Sequence, residues 1–273
     1  MGRSGGAALM ATATGPGLGM ADWGFVEPAE LARPLVVSPH LDDAVLSCGQ
    51  FLAAHPGTTV ATVFAGIPAG YPAEPSDWSV LCGFDPGDDV QAARRAEDAA
   101  ALGSLAAEPV WLDFLESMFL AEGESVGADE VAGALGALVE AREPTIVLVP
   151  MGLANPEHVT THDAAMAVRD RCLAEGRPVT WACYQDVAYH HIPGQLAWRV
   201  AKMFRAGCWP TPVAMPVDPS IAAKRAAIEA YTSQVRGLEA DWGLWRRIDA
   251  PTPEQYWRVD PPPPGWEAMI DLI

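Results

Sequence analysis

The sequence predicts an α/β domain with a mostly parallel sheet, helices on both faces and long loops over the carboxyl ends of the strands. Short runs of β-branched and apolar residues alternate with longer segments whose apolar residues recur at helical spacing. Half of the 273 residues are hydrophobic, which is enough for a sizeable core. No internal repeat interrupts the alternation. We therefore expect one domain over residues 21–273, and a disordered tail over the Gly- and Ala-rich residues 1–20.

The first elements form a strand–helix–strand unit. Residues 35–38 are predicted to form a short buried strand, residues 43–57 a helix that stops at a Pro-Gly pair, and residues 58–66 the next strand. This succession is typical of a βαβ unit with parallel strands. Residues 67–89, rich in Pro, Gly, Asp and Trp, are predicted to form a long loop. Loops of this length are commonly functional lids or disordered segments.

The remaining elements continue the alternation of strands and helices. In chain order they are helix 90–105, strand 108–115, helix 129–143, strand 144–153, helix 156–176, strand 178–189 and a late helix at 219–240. Residues 190–217 combine aromatic residues with prolines and glycines, so we expect a second long loop there. Four consecutive prolines at 261–264 are typical of a stiff polyproline segment.

Composition excludes several classes of partner. The net charge of -18 argues against nucleic acid, whose binding proteins usually carry a basic patch. No apolar window approaches the length of about 18 residues that a membrane span needs. The apolar residues near 203–210 could touch a membrane surface, although packing as a lid is the favoured alternative. The five cysteines are scattered without a CxxC motif, which indicates reduced thiols and a cytoplasmic protein.

Histidines gather after the predicted strands. Four of the six histidines follow strands 144–153 and 178–189: His158, His162, His190 and His191. A fifth, His40, follows the first strand in "SPHLDD". In open α/β sheets the ligand crevice lies outside the carboxyl ends of the strands. The sequence therefore predicts a functional site at this edge of the sheet.

The polar residues after the first strand predict a metal site. His40 and Asp43 lie three apart in a turn that leads into a helix, and His158 can supply a third ligand. Two histidines and one carboxylate leave a tetrahedral Zn²⁺ with an open position, which is the catalytic arrangement. Asp42 would then accept a proton from water. As an alternative, paired aspartates after a strand often cap a helix. Two histidine-bearing strand ends favour the metal site and a zinc hydrolase.

Several motifs resemble one enzyme family. "SPHLDDAVLSCG" is similar to the PHxDD signature of the LmbE-like, or PIG-L, family of zinc-dependent N-deacetylases. Further stretches agree with this family in order: "ARRAEDAAALGSL", "WLDFLESMF", "PMGLANPEH" and "AAKRAAIEAYTSQ". The agreement covers roughly residues 35–240. The resemblance implies a Rossmann-like fold and removal of an N-acetyl group from an N-acetylglucosamine conjugate.

The resemblance also implies roles for particular residues. It assigns the metal to His40, Asp43 and His158, and the general base to Asp42. Glu116 falls where the family has an acidic residue on the substrate side. These assignments agree with the metal site that the residues themselves predict.

One departure from the family pattern concerns the catalytic machinery. Asn155 stands where the family has a histidine, and Glu157 stands where it has the aspartate that orients this histidine. Asparagine can donate a hydrogen bond to an oxyanion but cannot act as a general acid. His162, one helical turn beyond His158, is a candidate for the missing acid. An alternative for His162 is a helix histidine bonded to a backbone group. His190 and His191 are further candidates, although loop residues without a catalytic role are the favoured interpretation of both. Alternatively, Asp42 itself returns its proton to the leaving group.

Other residues are candidates for contacts with the substrate. Arg94 or Arg95 could hold a substrate carboxylate or pair with a neighbouring acidic residue. Aromatic residues near the predicted crevice could stack on a sugar or pack in the core: Trp78, Trp198 and Trp209. The strand that contains Tyr184 is expected to border the site. Of these residues, we select Arg95, Trp78 and Tyr184, together with Glu116, as substrate contacts.

The resulting hypothesis is a zinc-dependent deacetylase of an amino-sugar conjugate, a small-molecule substrate. The long loops suit a bulky secondary metabolite, for example a glycopeptide antibiotic precursor. The change at Asn155 motivates a rival hypothesis, a non-catalytic carbohydrate-binding protein with a decayed site. A third possibility is an amidase that removes longer N-acyl chains.

Overall fold

Seven strands form one sheet in residues 24–250 and 253–261, which the computed structural model describes. The strands are β1 (Pro34–Ser38), β2 (Thr59–Thr62), β3 (Glu108–Trp111), β4 (Ile146–Pro150), β5 (Thr180–Tyr184), β6 (Trp209–Val213) and β7 (Tyr256–Asp260). Their order across the sheet is β3-β2-β1-β4-β5-β7-β6. The five strands from β3 to β5 pair in parallel, and β7 pairs antiparallel with both β5 and β6. The prediction of a mostly parallel sheet is confirmed.

Helices cover both faces of this sheet. They are α1 (Asp43–Ala54), α2 (Asp77–Cys82), α3 (Val90–Ser104), α4 (Ala128–Arg142), α5 (Pro156–Ala174), α6 (Gln195–Arg205), α7 (Ala222–Glu229), α8 (Thr232–Trp242) and α9 (Leu244–Ile248). One hydrophobic cluster joins the sheet to α1, α3, α7, α8 and α9, and a second joins the opposite face to α4, α5 and α6. Alternate residues along each strand divide between the clusters: Val36 belongs to the first and Val37 to the second.

The order of the strands places a crevice between β1 and β4. From β1 the chain moves outward through β2 to β3, and it then returns to form β4 on the other side of β1. β1 and β4 are paired in register, with Val36 opposite Leu148. The connections that follow the two strands diverge, and such a switch point is where open α/β sheets bind ligands. Both predicted histidine motifs follow these two strands.

Two predicted loops contain regular structure. Within residues 67–89 lies α2, where Ser76 Oγ accepts a hydrogen bond from Ser79 N at 3.1 Å and Gly83 ends the helix with φ of 93°. Within residues 190–217 lie α6 and β6. The prolines of β6 are compatible with a strand because β6 lies at the edge of the sheet, where a ladder donor is not required. The long-loop prediction was therefore wrong for these stretches.

The predicted late helix is divided into two. α7 ends at Glu229 and α8 begins at Thr232, with Tyr231 buried between them. The Tyr231 hydroxyl donates to Asp98 Oδ1 at 2.7 Å, so the break turns this side chain toward α3. Strand β7 was not predicted. The predicted tail at residues 1–20 lies outside the described residues, as do prolines 262–264.

The cysteines and the apolar stretch near 203–210 are placed in the body of the fold. All five cysteines are free and buried. Met203 and Cys208 are buried, whereas Phe204 stacks on Trp209 at 4.8 Å between ring centroids. This stretch forms the end of α6 and the start of the edge strand β6 rather than a lid. Among the described residues, none of the helices is both long enough and apolar enough to span a membrane.

Candidate active site

A cavity of about 450 Å³ opens at the carboxyl ends of β1 and β4. Its walls come from the turn after β1, the start of α5, α2, α8 and the segment that follows β5. All three predicted metal ligands line it, and so do Asp42 and Asn155. The cavity is therefore the place where the sequence motifs meet.

The turn after β1 is held by its own hydrogen bonds. Ser38 Oγ donates to the carbonyl oxygen of His40 at 2.7 Å and accepts from Ala44 N at 3.0 Å. His40 N donates to Asp43 Oδ2 at 3.0 Å. These bonds join the end of β1 to the start of α1. The closed turn holds His40 and Asp43 in one wall of the cavity.

Three side chains form a cluster that could hold a metal ion. One ligand atom from each of His40, Asp43 and His158 lies within 4.8 Å of the other two. Asp43 Oδ2 is 3.1 Å from His40 Nδ1 and 3.0 Å from His158 Nε2. Two imidazole nitrogens and one carboxylate oxygen fit the donor set of a catalytic zinc site.

The second nitrogen of each histidine is held by a carboxylate. His40 Nε2 lies 2.6 Å from Glu157 Oε2, and His158 Nδ1 lies 2.6 Å from Asp186 Oδ1. Metal-binding histidines typically have such a partner, which fixes the ring and makes the ligating nitrogen more basic. Glu157 therefore contacts a predicted ligand, instead of orienting the side chain at 155. This arrangement supports the fit of the cluster to a metal.

The cluster is buried and strongly polarised. His158 is 1% exposed. Burial opposes a charged imidazole, but Asp43 and Asp186 outweigh it and raise the pKa of His158 to about 9. Burial alone would raise the pKa of Asp43. His158 and His40 outweigh burial and hold the pKa of this carboxyl well below its usual range. The carboxylates thus concentrate negative charge where a cation would bind.

Asp42 differs from its neighbour in having no partner. It occupies the N-cap position of α1 but makes no capping hydrogen bond, and its side chain has no bond or ion pair with any residue that the structure describes. It is 7% exposed. Burial and the charge of Asp43 raise the pKa of Asp42 to about 7, against the opposing charge of Arg94. A carboxylate in this state can accept a proton near neutral pH.

Glu116 lines the cavity as part of a buried ion pair. It accepts hydrogen bonds from Arg94 Nη1 and, at 3.0 Å, from Gln91 Nε2. Arg95 lies elsewhere, because its guanidinium donates to Ala65 O at 2.6 Å and to Asp113 Oδ1 at 3.0 Å. Of the two adjacent arginines, only Arg94 therefore borders the cavity.

Asn155 caps α5 and reaches a tyrosine. Its Oδ1 accepts from Glu157 N at 2.8 Å, and its Nδ2 donates to the Tyr189 hydroxyl at 3.3 Å. The Tyr189 ring meets His158 edge to face at 5.0 Å between centroids. Tyr189 lines the same cavity. Asn155, which stands where the family has a histidine, is thus hydrogen-bonded to the phenol of Tyr189.

Besides Arg95, two further predicted site residues do not line this cavity. His162 is buried against β4, and its Nδ1 donates to Pro150 O at 2.8 Å. Burial and Arg199 lower the pKa of His162 to about 4. His162 is therefore best described as a helix histidine bonded to the backbone, not as the missing acid. The Tyr184 hydroxyl donates to Val37 O at 2.9 Å inside the core. Both side chains support the strands beneath the site.

The aromatic candidates divide in the same way. Trp78, on α2, lines the cavity and donates from Nε1 to Gln234 Oε1 at 3.3 Å. Trp198 is 56% exposed on α6, and Trp209 belongs to β6, so neither of them lines the cavity. Trp242, at the end of α8, was not predicted and stacks with His191 at 6.2 Å between centroids.

Sequence reasoning missed the residues that support the ligands. Asp186 follows β5, the parallel neighbour of β4, so the strand-end rule that found His158 could also have found it. Its Oδ2 accepts from Gly152 N at 3.0 Å, which ties β5 to the loop after β4. Tyr189 lies in the same segment. No local signal distinguished Arg94 from Arg95.

A comparison with known protein families covers the strands and turns that form this cavity. Residues 35–169 match the family PIG-L, described as GlcNAc-PI de-N-acetylase. No curated protein matches the chain. The matched residues include the predicted metal ligands and Asp42.

Solved structures share the fold over most of the chain. The chain is 27% identical to the A40926 pseudoaglycone deacetylase, with a TM-score of 0.68 and coverage of 84% of this chain and 97% of that chain. It is 27% identical to the zinc-inhibited form of teicoplanin deacetylase, with a TM-score of 0.67 and coverage of 86% and 100%. N,N'-diacetylchitobiose deacetylase from Pyrococcus horikoshii, at 17% identity, a TM-score of 0.52 and 84% coverage of each chain, shares the fold. The family match and the site geometry thus fall on the same residues, and residues 35–169 are similar to the PIG-L family of de-N-acetylases.

Proposed function

We propose that the chain is a zinc-dependent deacetylase that removes the acetyl group from the N-acetylglucosamine unit of a conjugate. One observation carries the proposal: the buried, unpartnered Asp42 lies beside the cluster of His40, Asp43 and His158 in one cavity. The match of residues 35–169 to the PIG-L family of de-N-acetylases supports the reaction type. The similarity to deacetylases of A40926 pseudoaglycone and teicoplanin supports a glycopeptide antibiotic precursor as the substrate.

The donor atoms support zinc as the metal. Two imidazole nitrogens and one carboxylate leave a coordination position open for catalysis. When bound, zinc would polarise the acetyl carbonyl and lower the pKa of water to about 7. The hydrogen bonds that His40 and His158 donate to Glu157 and Asp186 would keep both imidazoles oriented during turnover.

Asp42 has the environment of a general base. Its carboxylate accepts a proton from the water that attacks the acetyl carbon, and the new C–O bond makes a tetrahedral oxyanion. As the C–N bond breaks, the carboxyl of Asp42 returns this proton to the departing nitrogen. The products are acetate and a free amine, so Asp42 serves both steps without a histidine at position 155.

Tyr189 is the residue we assign to stabilise the oxyanion. Asn155 Nδ2 donates to the phenol oxygen, which leaves the phenol hydrogen available to donate to the acetyl oxygen. Burial and the charge of Asp43 raise the pKa of Tyr189, so the phenol keeps its proton at neutral pH. A donor aimed at developing negative charge is commonly worth two to three orders of magnitude in rate, that is about 100- to 1,000-fold.

The remaining walls suit a sugar. Trp78 offers an aromatic surface on which a pyranose ring can stack, and its Nε1 is already held by Gln234. Glu116 is buried beside Arg94 and offers a carboxylate oxygen to a sugar hydroxyl. These contacts would hold the acetamido group toward Asp42.

The experiment is a panel of N-acetylglucosaminyl conjugates, including a glycopeptide pseudoaglycone, incubated with zinc-loaded protein and followed by mass spectrometry. We expect loss of the acetyl mass together with release of free acetate. Bound zinc without release from any conjugate would favour the carbohydrate-binding alternative. Faster removal of longer acyl chains from matched conjugates would instead identify the chain as an amidase that acts on longer N-acyl groups.

A further inference from the structure

A second cavity of about 430 Å³ lies beside the first. Trp242 lines both cavities, so its indole is the wall that they share. His191, on the side of the candidate active site, stacks on this indole, and the Arg247 guanidinium lies 5.0 Å from its ring centroid. A conjugate whose amino sugar occupies the first cavity would reach the second by passing Trp242.

The second cavity has a cationic lining. Lys224, Arg246 and Arg247 line it, while Glu254 is the carboxylate among its lining residues. The chain as a whole has 17 Lys and Arg residues against 35 Asp and Glu residues. The charge of this cavity lining is therefore opposite in sign to the net charge of the whole chain.

Glu254 does not cancel this excess for a ligand. Its carboxylate accepts four hydrogen bonds at 2.7 to 3.1 Å: from Lys224 Nζ, Gln50 N, Phe51 N and Tyr256 OH. A carboxylate with this many donors is fully satisfied, and its charge is balanced by Lys224. Arg246 and Arg247 remain as the uncompensated charges.

The two arginines have donors to spare. Arg246 makes no hydrogen bond or ion pair with any residue in the described ranges. Arg247 donates from Nε to Trp242 O at 3.0 Å, and its terminal nitrogens have no partner in that part of the chain. His190 also lines the cavity, and burial together with Arg247 lowers the pKa of its imidazole, so it presents a neutral ring. A guanidinium group with free N–H donors can donate two parallel hydrogen bonds to two oxygens of a carboxylate or phosphate.

We propose that this second cavity binds an oxyanion, a carboxylate or phosphate, carried by the part of the conjugate beyond the amino sugar. The proposal rests on the proposed function in that the same molecule occupies both cavities. Arg246 and Arg247 hold the oxyanion, and Trp242 supports the connection between the two parts. The cavity thereby selects conjugates with an acidic distal group.

The first test is direct binding and does not depend on catalysis. Calorimetric titration of the zinc-loaded chain with inorganic phosphate, and separately with succinate, should show saturable binding of at least one probe. The double variant R246Q/R247Q should weaken this binding roughly 10-fold, because charged hydrogen bonds are lost. The control Arg205→Gln, which removes an exposed charge on α6, should bind like the parent. Absence of binding by both probes, or equal binding by the double variant, would overturn the proposal.

The second test compares phenyl and 4-carboxyphenyl N-acetylglucosaminides in the deacetylation assay. We expect the carboxylate to lower KM in the parent roughly 10-fold, and R246Q/R247Q to remove this preference. Equal KM values for both compounds in the parent would contradict the proposal. If neither compound is deacetylated, the proposed function fails, and the titrations still decide whether the cavity binds anions.

Discussion

Two adjacent aspartates in one turn have opposite environments. Asp43 lies between His40 and His158, and these partners stabilise its ionised form. Asp42 faces the same cavity without a partner, and burial makes its ionisation costly. Asp43 is therefore suited to binding a cation, and Asp42 is suited to accepting a proton.

The first prediction concerns Asp42→Asn. The amide cannot accept the proton, so kcat should fall by about 100- to 10,000-fold. Bound zinc should stay at the parent level because Asp42 is not among the clustered ligands. Steady-state acetate release and metal analysis measure the two quantities. The exposed Asp129→Asn change is the matched control, and a parent-like kcat in Asp42→Asn would refute the assignment.

The second prediction concerns Tyr189→Phe. Loss of the hydroxyl should lower kcat by about 100- to 1,000-fold, because the hydrogen bond acts on charge that develops in the transition state. KM should change little for the same reason. Asn155→Ala should give a smaller loss, since the phenol remains but its partner is removed. A Tyr189→Phe enzyme with kcat near that of the parent would contradict this role.

At the scale of elements, three neighbouring strands assemble the site. β1 leads to His40, β4 leads to His158, and β5 leads to Asp186, which bonds both His158 and the loop after β4. A parallel sheet brings these ends to one edge although they are far apart in sequence. The orientation of the metal ligands therefore depends on packing between strands.

The third prediction tests that dependence with Asp186→Asn. The amide is a weaker partner for His158 Nδ1, so zinc affinity should fall by about 10- to 100-fold. Competition with a chelator measures this affinity, and thermal unfolding of the metal-free chains reports whether the fold is retained. Asp129→Asn again serves as the control. An unchanged affinity in a folded Asp186→Asn variant would show that the contact does not orient the ligand.

The fourth prediction concerns the packing of α3. Asp98 accepts hydrogen bonds from Trp111 Nε1 and Tyr231 OH, each at 2.7 Å, and thereby joins α3 to β3 and to the break between α7 and α8. Burial raises the pKa of Asp98, although these two bonds oppose the shift. The folded chain thus holds this proton to a higher pH than the unfolded chain. The contribution of Asp98 to the free energy of unfolding should therefore fall as pH rises above its ordinary pKa of about 3.9.

Urea unfolding of the parent and of Asp98→Asn between about pH 4 and pH 7 measures this contribution. The parent should lose stability relative to the variant as pH rises through that window. A difference that stays constant or changes in the opposite direction would contradict the pKa shift assigned to Asp98.

At the scale of the whole molecule, the alternation of apolar runs was sufficient to predict the α/β fold. It was also sufficient to bring "SPHLDD" and His158 to one edge of a parallel sheet. β7 was not predicted, and its position between β5 and β6 became clear only from the folded chain. The helical pattern across Tyr231 continues without interruption, so the break there became visible only with the contact to Asp98.

The contacts of individual side chains in the site were also not predictable from local sequence patterns. Successive residues on a helix point about 100° apart, so the choice between Arg94 and Arg95 needs the packing of α3. Asp186 and Tyr189 acquire their roles from residues that are distant in sequence. Local patterns therefore identified the ligand motifs, whereas the residues that support them required the three-dimensional fold.

The most direct test of the central claim is acetate release by metal-depleted protein as zinc is added in steps up to one equivalent. We expect release near background without metal and an increase in proportion to bound zinc, with one free amine formed for each acetate. The variants of His40, Asp43 and His158 should not recover at the same zinc concentration. Full activity in the depleted protein, or activity that returns in these variants as in the parent, would show that deacetylation does not depend on zinc held by these three residues.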